Sequence, residues 1–292
     1  MRKITAIGES VLDITFGADG QPLKSFVGGR VANIAAELGR KGLPVTMVSE
    51  CCTDCIGDAI IDFHKQSGVN INSIDRYTDG ATPISLIYGD HPGDAKRTIN
   101  YAAYPEDRFD VVWPRIDEDD ILLFGSYYSI DHSLRKRLFE MVKYAGERKA
   151  SIIYLPGCQH GINCRITKVM PEILENFEIA DIVIAKRQDL EQIYPDEDPN
   201  EAYRDHIEYY DCIMLYIDDD YNATIYTRGN ATVVPATTIY EGGPLRWQSR
   251  FAASLIGSLL SNEITTSALR SVSPSEWEEM VRLAISFAVR PE

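Results

Sequence analysis

Short apolar runs alternate along this chain with longer amphipathic segments, and this alternation limits the possible folds more than any other feature. Six runs have the length and composition of strands buried on both faces: 4–8, 45–49, 121–124, 152–155, 182–184 and 213–217. Segments with helical spacing separate them, near 31–41, 55–68, 132–148, 166–177, 187–193 and 200–209. The pattern predicts an α/β fold with three layers, α/β/α, in which helices cover both faces of a doubly wound parallel sheet.

Two stretches, 14–27 and 83–101, interrupt this alternation. Both carry strand-like alternation and turn residues but no helical spacing. We expect them to form a small antiparallel β-lid that projects from the main sheet. Since no linker-like segment or internal repeat divides the sequence, we predict a single domain over 1–292 with the lid as an insertion.

Charge and hydropathy narrow the range of partners. The formal net charge is −15, which repels a phosphate backbone, so nucleic acid is not an expected partner. No apolar run reaches the roughly 18 residues that a membrane span needs. The first ten residues lead directly into a strand and lack the apolar region of a signal peptide, so we expect a cytoplasmic protein without membrane contact.

Two places in the sequence carry residues that can bind a metal. Cysteines lie at 51, 52, 55, 158, 164 and 212. The first three, with His64, suggest a metal knuckle, but a four-ligand zinc site needs a second tightly spaced pair, so small buried residues at a strand end are the simpler interpretation. The acidic run 218–220 is either a divalent-cation site or a solvated hairpin turn, and we favour the turn.

Polar residues that suit a polyhydroxyl ligand lie near the amino end of the sequence. Asp13 follows a strand where it leaves the sheet, and the carboxyl ends of strands line the ligand crevice of an open α/β sheet. A carboxylate there accepts paired hydrogen bonds from vicinal hydroxyls. Gly28 and Gly29 precede a helix and permit close backbone approach, while Asn33 offers both a donor and an acceptor one turn later.

These residues belong to a pattern that resembles the PfkB (ribokinase-like) family of sugar kinases. The resemblance rests on G-G-x-x-x-N at 28–33, L-G-x-x-G at 38–42, Asp54-x-x-Gly57 and Phe124-Gly125-Ser126. It runs in consistent order over 3–185 and resumes at 245–290. It implies the ribokinase-like fold, with a small sugar or polyol as the ligand.

The resemblance also assigns roles. It implies that Asp13, Gly28, Gly29 and Asn33 hold the hydroxyls of a sugar or nucleoside. The β-lid is expected to close over that ligand and to form a homodimer. Phosphoryl transfer in this family uses Mg-ATP, which is the cofactor to expect if the protein is active.

The catalytic signature of the family is altered in this chain. Family members read roughly D-T-x-G-A-G-D-x-F before an apolar helix, which here is 251–260. When the sequences are aligned on Phe251, the anion-hole positions G-A-G fall on Arg246, Trp247 and Gln248. The catalytic aspartate falls on Ser249, which is not ionised at neutral pH, so no catalytic residue is intact at the expected position of the base. We expect Ser249 to begin the helix as its N-cap.

Three further nucleotide-side elements also depart from the family pattern. The N-x-x-E element falls on 186–189, where Asp189 is the candidate metal ligand and Lys186 opposes it. The glycine-rich T-L-G-x-x-G falls on 217–222, and D-P-N-x-R falls on 155–159, where the proline is retained. Carboxylates near a triphosphate would repel it rather than cradle it.

The sequence leaves three functions open. In the first, the protein is a sugar-binding relative whose ATP-dependent phosphoryl transfer is lost or weakened. Alternatively, it is an active sugar kinase (fructokinase or ribokinase type) or nucleoside kinase with a rebuilt anion hole, formed around Glu241 and Asp189. A third alternative is a structural dimer partner that catalyses nothing.

Overall fold

The computed structural model describes residues 2–88, 97–157, 165–236 and 244–290. The strands of these ranges, numbered in chain order, are β1 Ile4–Ile7, β2 Val11–Phe16, β3 Pro22–Gly28, β4 Val45–Cys52, β5 Asn70–Tyr77, β6 Ala81–Tyr88, β7 Arg97–Ala103, β8 Ile121–Gly125, β9 Ser151–Leu155, β10 Ile182–Lys186, β11 Ile213–Ile217, β12 Ala223–Thr227 and β13 Asn230–Val234. The α-helices are α1 Arg30–Arg40, α2 Cys55–Gln66, α3 Arg135–Glu147, α4 Ile166–Ile179, α5 Arg187–Ile193, α6 Pro199–Ala202, α7 Pro244–Ser261 and α8 Pro274–Ala288.

The main sheet has nine strands in the order β13-β12-β11-β10-β9-β8-β1-β4-β5. Neighbours from β11 to β5 are parallel, and β12 and β13 add an antiparallel edge. The six apolar runs of the sequence form β1, β4, β8, β9, β10 and β11. The predicted parallel sheet is therefore confirmed.

Helices cover both faces of this sheet. Successive strand residues point to opposite faces, so Leu123 packs in one apolar cluster, while Leu122 and Phe124 pack in another. The first cluster includes buried residues of α1, α7 and α8, and the second includes those of α3 and α4. These two clusters are the cores of a three-layer α/β/α fold, as predicted.

A second, smaller sheet has the order β3-β2-β6-β7 and is called the lid sheet below. Its two hairpins, β2–β3 and β6–β7, are antiparallel, and a parallel pairing of β2 with β6 joins them. The helix-free stretches of the sequence thus form a projecting sheet, with residues 89–96 outside the described ranges. Because β2 follows β1 directly, the lid sheet begins at the carboxyl edge of the main sheet.

Two helices differ from the sequence-based expectation. The helix expected at 251–260 begins at Pro244, because Trp247 is buried beside Phe251 and extends the apolar stripe of α7 by more than a turn. The helix expected at 200–209 forms as three short consecutive pieces: α6, a π-helical turn at Tyr203–Ile207 and a 3-10 turn at Glu208–Tyr210. In that turn Tyr203 is buried and its hydroxyl donates to the Cys212 carbonyl at 3.1 Å.

Candidate functional site

Asp13 and the double-glycine turn are in direct contact at the base of the lid sheet. Val11 pairs with Gly28 across β2 and β3, which places the Asp13 carboxylate over the Gly28 backbone. A Cβ atom added at Gly28 would lie 2.1 Å from Oδ2 of Asp13. A side chain at Gly29 is excluded as well, because φ is +103° and a Cβ would lie 2.1 Å from the Glu9 carbonyl oxygen. Gly29 is therefore required by its backbone, and a side chain at Gly28 would displace the Asp13 carboxylate.

Asn33 lies in the first turn of α1 and is tied to the same glycine turn. Its Nδ2 donates to the Gly29 carbonyl oxygen at 2.9 Å, and its backbone N–H donates to the same oxygen at 3.0 Å. Asn33 is half-buried. The four residues expected to hold a ligand are thus adjacent: Asp13 contacts Gly28, and Asn33 is bonded to Gly29.

The electrostatic setting of Asp13 is unusual for a carboxyl group. Burial, and secondly the negative charge of Glu9, raise the pKa of Asp13 to about 7, while a hydrogen bond with Ser85 opposes the rise. Asp13 therefore exists in both the protonated and the ionised form near neutral pH. The protonated form can donate a hydrogen bond to a hydroxyl group, and the ionised form can accept one.

A buried charged cluster beside this site was missed by the sequence analysis. Glu50, at the carboxyl end of β4, accepts from Arg108 Nε at 2.8 Å, from the Phe109 N–H at 2.9 Å and from the Tyr128 hydroxyl at 2.8 Å. Arg108 also donates to Asp131 at 3.1 Å. The cluster fixes the chain that leaves β7 to the edge of the main sheet. Its sequence signal was an acidic residue at a strand end, the same signal that singled out Asp13.

Tyr104 packs against Arg108 of this cluster. The Arg108 guanidinium lies 3.5 Å from the centre of its ring. Burial raises the pKa of the Tyr104 hydroxyl; Arg108 opposes this rise, while the charges of Glu50, Glu9 and others add to it. Glu9 also acts on Asp13, so Tyr104 and Asp13 share one electrostatic environment.

The signature-loop residues are helical in this protein. Because α7 begins at Pro244, Arg246 and Trp247 lie in its first turn, followed by Gln248 and Ser249. The expectation that Ser249 begins the helix as an N-cap is therefore wrong; Ser249 is buried within α7. In an α-helix each N–H donates to the carbonyl four residues earlier, so the N–H groups of Gln248 and Ser249 are used inside the helix.

Trp247 is a core residue. It is fully buried, its ring stacks on Phe251 at 5.1 Å, and it lies 4.9 Å from the ring of Tyr221. Its indole Nε1 has no acceptor among the described residues. Tyr221 belongs to the turn that aligns with the family's glycine-rich element. An aromatic stack therefore joins the two segments that the resemblance places around the triphosphate.

Asp189 is engaged in a buried ion pair. Its Oδ2 accepts from Nη1 of Arg30 at 2.8 Å and from the Lys186 N–H at 3.0 Å. Arg30 Nη1 also donates to the Pro156 carbonyl at 2.7 Å. The charge of Asp189 is thus balanced by Arg30. Across the parts of the chain that the structure describes, no group of three or more His, Cys, Asp or Glu side chains is arranged to hold a metal ion.

The acidic run at 218–220 forms a hairpin turn between β11 and β12, as we favoured. Asp218 accepts from the backbone N–H of Asp220 at 2.9 Å and from that of Asn222 at 2.8 Å, and Asp219 pairs with Arg187 at 3.2 Å. The turn satisfies its own polar groups, which is typical of an Asx-type turn.

The remaining candidates from the sequence are the cysteines, Gln159 and the segment that contains Glu241. Cys51 and Cys52 are buried thiols at the end of β4, and Cys55 is exposed. The cysteines at 158 and 164 lie outside the described residues, as do Gln159 and the segment 237–243 that contains Glu241. No helix among the described residues has the length and hydropathy needed to cross a membrane.

Comparison with known proteins places this chain in a family. The family model for pfkB family carbohydrate kinases matches residues 1–210. The chain belongs to the PfkB family of carbohydrate kinases. A search of curated protein sequences found no significant match.

Solved structures share the fold along nearly the whole chain. A fructokinase from Xylella fastidiosa is 19% identical, with a TM-score of 0.77, and the match covers 99% of this chain and 92% of that one. A fructokinase from Vibrio cholerae O395, solved as a double mutant with fructose, ADP and potassium ion, is 14% identical, with a TM-score of 0.79 and coverage of 99% and 90%. A fructokinase from Halothermothrix orenii is 15% identical, with a TM-score of 0.76 and coverage of 99% and 98%. At these identities the likeness concerns the fold.

Proposed function

We propose that this protein binds a small sugar or polyol and that its ATP-dependent phosphoryl transfer is lost or greatly weakened. The observation that carries the proposal is the position of Trp247, which is fully buried in the first turn of α7 where family members have a glycine-rich anion hole. Carbohydrate binding and catalysis depend on different parts of the site, so each half of the proposal has its own support.

The carbohydrate half is supported by the assembly around Asp13. A carboxyl group, a double-glycine turn and an amide are packed against each other where the lid sheet leaves the main sheet. Such a group of donors and acceptors suits vicinal hydroxyls. The Vibrio cholerae fructokinase has fructose and ADP bound, which favours a small uncharged sugar as the ligand class.

The loss of catalysis is supported by the chemistry of α7. Phosphoryl transfer depends on positioning and on donors directed at the developing negative charge. The Trp247 ring is fully buried, so its indole N–H is not exposed to a phosphate, and Ser249 cannot serve as an unassisted base. A missing general base costs ~10²–10⁴ in rate. Loss of an anion-hole donor adds a factor of about 10²–10³.

The same argument extends to Mg-ATP. An ATP-bound Xylella fastidiosa fructokinase shares the fold, so nucleotide use is the family expectation. In this chain Asp189, the candidate ion ligand, is paired with Arg30, and the acidic turn at 218–220 adds negative charge where phosphate would lie. These residues do not fit a magnesium triphosphate, and we therefore propose that Mg-ATP binds weakly or not at all.

Isothermal titration calorimetry tests both halves. Wild-type protein is titrated with fructose, ribose and sorbitol, and separately with Mg-ATP. We expect binding of at least one sugar or polyol, loss of that binding in Asp13→Ala, and retention in Asp62→Ala, a matched change at an exposed position of α2. Absence of any sugar or polyol binding by wild-type protein would refute the carbohydrate half. Tight Mg-ATP binding together with steady turnover would instead establish an active kinase with a rebuilt site.

A further inference from the structure

A row of polar side chains crosses the lid sheet next to the candidate site. Asp13 on β2 lies opposite Ser85 on β6, and Ser85 lies opposite Asn100 on β7. Residues paired in this way across neighbouring strands project from the same face of a sheet. The face that carries Asp13 therefore carries Ser85 and Asn100 as well.

Hydrogen bonds link the row. Ser85 Oγ donates to Oδ1 of Asn100 at 2.6 Å, and Ser85 is also hydrogen-bonded to Asp13. Ser85 is buried, with 5% of its surface exposed, so these bonds form away from bulk water. A serine hydroxyl has one proton and donates in one direction at a time, so the orientation of each group in the row depends on its neighbours.

One group in the row is left without a partner. The Nδ2 of Asn100 is shielded from solvent and has no acceptor among the described residues. A buried amide donor without an acceptor costs about 1–3 kcal/mol, so its presence needs a physical reason, and a bound ligand hydroxyl would supply the missing acceptor. The amide is fixed through Oδ1 by Ser85, and it projects from the face of the lid sheet that carries Asp13.

We propose that Asn100, positioned by Ser85, is a specificity residue of the carbohydrate site, where its amide hydrogen-bonds a second region of the polyol that Asp13 holds. This inference rests on the proposed carbohydrate binding. Two strand spacings separate Asp13 from Asn100, about 9–10 Å between backbones. A ligand held by both side chains has hydroxyls along much of its length, as an open or cyclic hexose or hexitol does. Glycerol is too short to reach both groups.

The substitution Asn100→Leu separates a ligand-binding role from a structural one. It keeps the size of the side chain and removes the unpaired donor. If Asn100 serves the ligand, the unliganded variant keeps or gains stability, while its affinity for hexoses falls by about tenfold or more, which is the usual effect of removing a good hydrogen bond in a desolvated site. Asn72→Leu, at an exposed position of β5, is the matched control and leaves affinity unchanged.

Calorimetry and thermal denaturation of wild type, Asn100→Leu, Ser85→Ala, Asp13→Ala and Asn72→Leu test the proposal with fructose, sorbitol and glycerol. We expect Asn100→Leu to weaken fructose or sorbitol binding without lowering the melting temperature, and Ser85→Ala to weaken it less. If Asn100→Leu binds fructose or sorbitol as tightly as wild type does, while Asp13→Ala no longer binds them, this inference is overturned and the proposed function stays intact. A loss of stability in Asn100→Leu that accounts for the lost affinity would overturn it too. If wild-type protein binds none of these ligands, the proposed function fails and this inference fails with it.

Discussion

At the scale of single residues, the carboxyl group of Asp13 is the clearest link between structure and function. Burial beside Glu9 raises its pKa from 3.8 to about 7, so the folded protein holds this proton more tightly than the unfolded chain. The contribution of Asp13 to stability is therefore complete below pH 3.8 and is lost as the pH rises towards 7. The ionised form that is useful for binding hydroxyls is thus a destabilising one.

The substitution Asp13→Asn tests this trade-off. An uncharged amide removes the cost of burying the charge, so the free energy of unfolding of the variant relative to wild type should increase between pH 4 and pH 8, by up to about 4 kcal/mol. Urea denaturation at the two pH values measures this difference. Asp62→Asn, at an exposed site, should show little change with pH. If the stability of Asp13→Asn relative to wild type does not depend on pH, burial does not raise the pKa of the Asp13 carboxyl group.

His64 gives the opposite pH dependence. Its ring is fully buried, with Nε2 3.3 Å from the Ser10 hydroxyl, and burial, with a smaller effect of Arg40, lowers its pKa from 6.5 to about 4. The folded state thus binds this proton less tightly, and the stability supplied by neutral His64 is present above pH 6.5 and is lost as the pH falls towards 4.

We expect His64→Gln to lose less stability than wild type when the pH falls from 7.5 to 5.0. The difference should be about 2 kcal/mol. At pH 5.0 the His64 ring takes up a proton in the unfolded wild-type chain but not in the folded protein, and this stabilises the unfolded state. Urea denaturation of both proteins at the two pH values measures it. Equal losses in the two proteins would show that His64 titrates normally in the folded state.

At the scale of elements, the proposed loss of phosphoryl transfer depends on helix α7. Its first turn buries Trp247 against Phe251 and Tyr221, while the neighbouring Arg246 is exposed. Replacing one residue in such a packed turn does not reopen it. On the proposed loss of phosphoryl transfer, more of the helix than Ser249 has to change before an anion hole can form.

Restoring the base alone tests this view. In a working site a general base contributes ~10²–10⁴ in rate, yet we expect Ser249→Asp to increase turnover by less than about tenfold. The buried carboxylate should also lower the free energy of unfolding by at least about 1 kcal/mol, and Ser249→Ala should have a smaller effect. A coupled assay for ADP release and thermal denaturation measure the two quantities. A large recovery of activity in Ser249→Asp would mean that Trp247 does not block phosphate.

The sequence predicted the main elements well because their signals are local. Buried strands such as β1 and β8 are continuous apolar runs, and Gly28 and Gly29 mark a turn that only glycine can form. The start of α7 is not evident from the sequence. An alignment of loop positions does not reveal that Trp247 is buried, because its burial depends on Tyr221, a residue distant in sequence. The Arg30–Asp189 pair also escaped notice, since its two members lie far apart in the chain.

At the scale of the whole molecule, we propose that the lid sheet forms a homodimer. Its edge strands β3 and β7 carry exposed apolar side chains, with Leu23 65% and Tyr101 58% exposed. An exposed strand edge with apolar residues invites pairing with a second copy of the chain. The single-domain organisation stays a prediction of the sequence.

Analytical ultracentrifugation tests the dimer directly. We expect wild-type protein to sediment as a dimer at micromolar concentration and Leu23→Asp combined with Tyr101→Asp to shift it to monomer. The matched change Val233→Asp, at an exposed position of the main sheet's antiparallel edge, should leave the dimer intact. Wild-type protein that sediments as a monomer would contradict an interface through the lid.

Steady-state phosphoryl transfer is the measurement that tests the central claim most directly. Wild-type protein is incubated with Mg-ATP and with each sugar or polyol that it binds by calorimetry, and ADP release is followed at saturating concentrations. We propose that Ser249 replaces the base and that Trp247, which is fully buried, lies at an anion-hole position, and we therefore predict turnover far below about one per second, the lower end of the usual range for enzymes. Turnover at or above that rate would contradict the account and show that the protein is a working kinase with a rebuilt site.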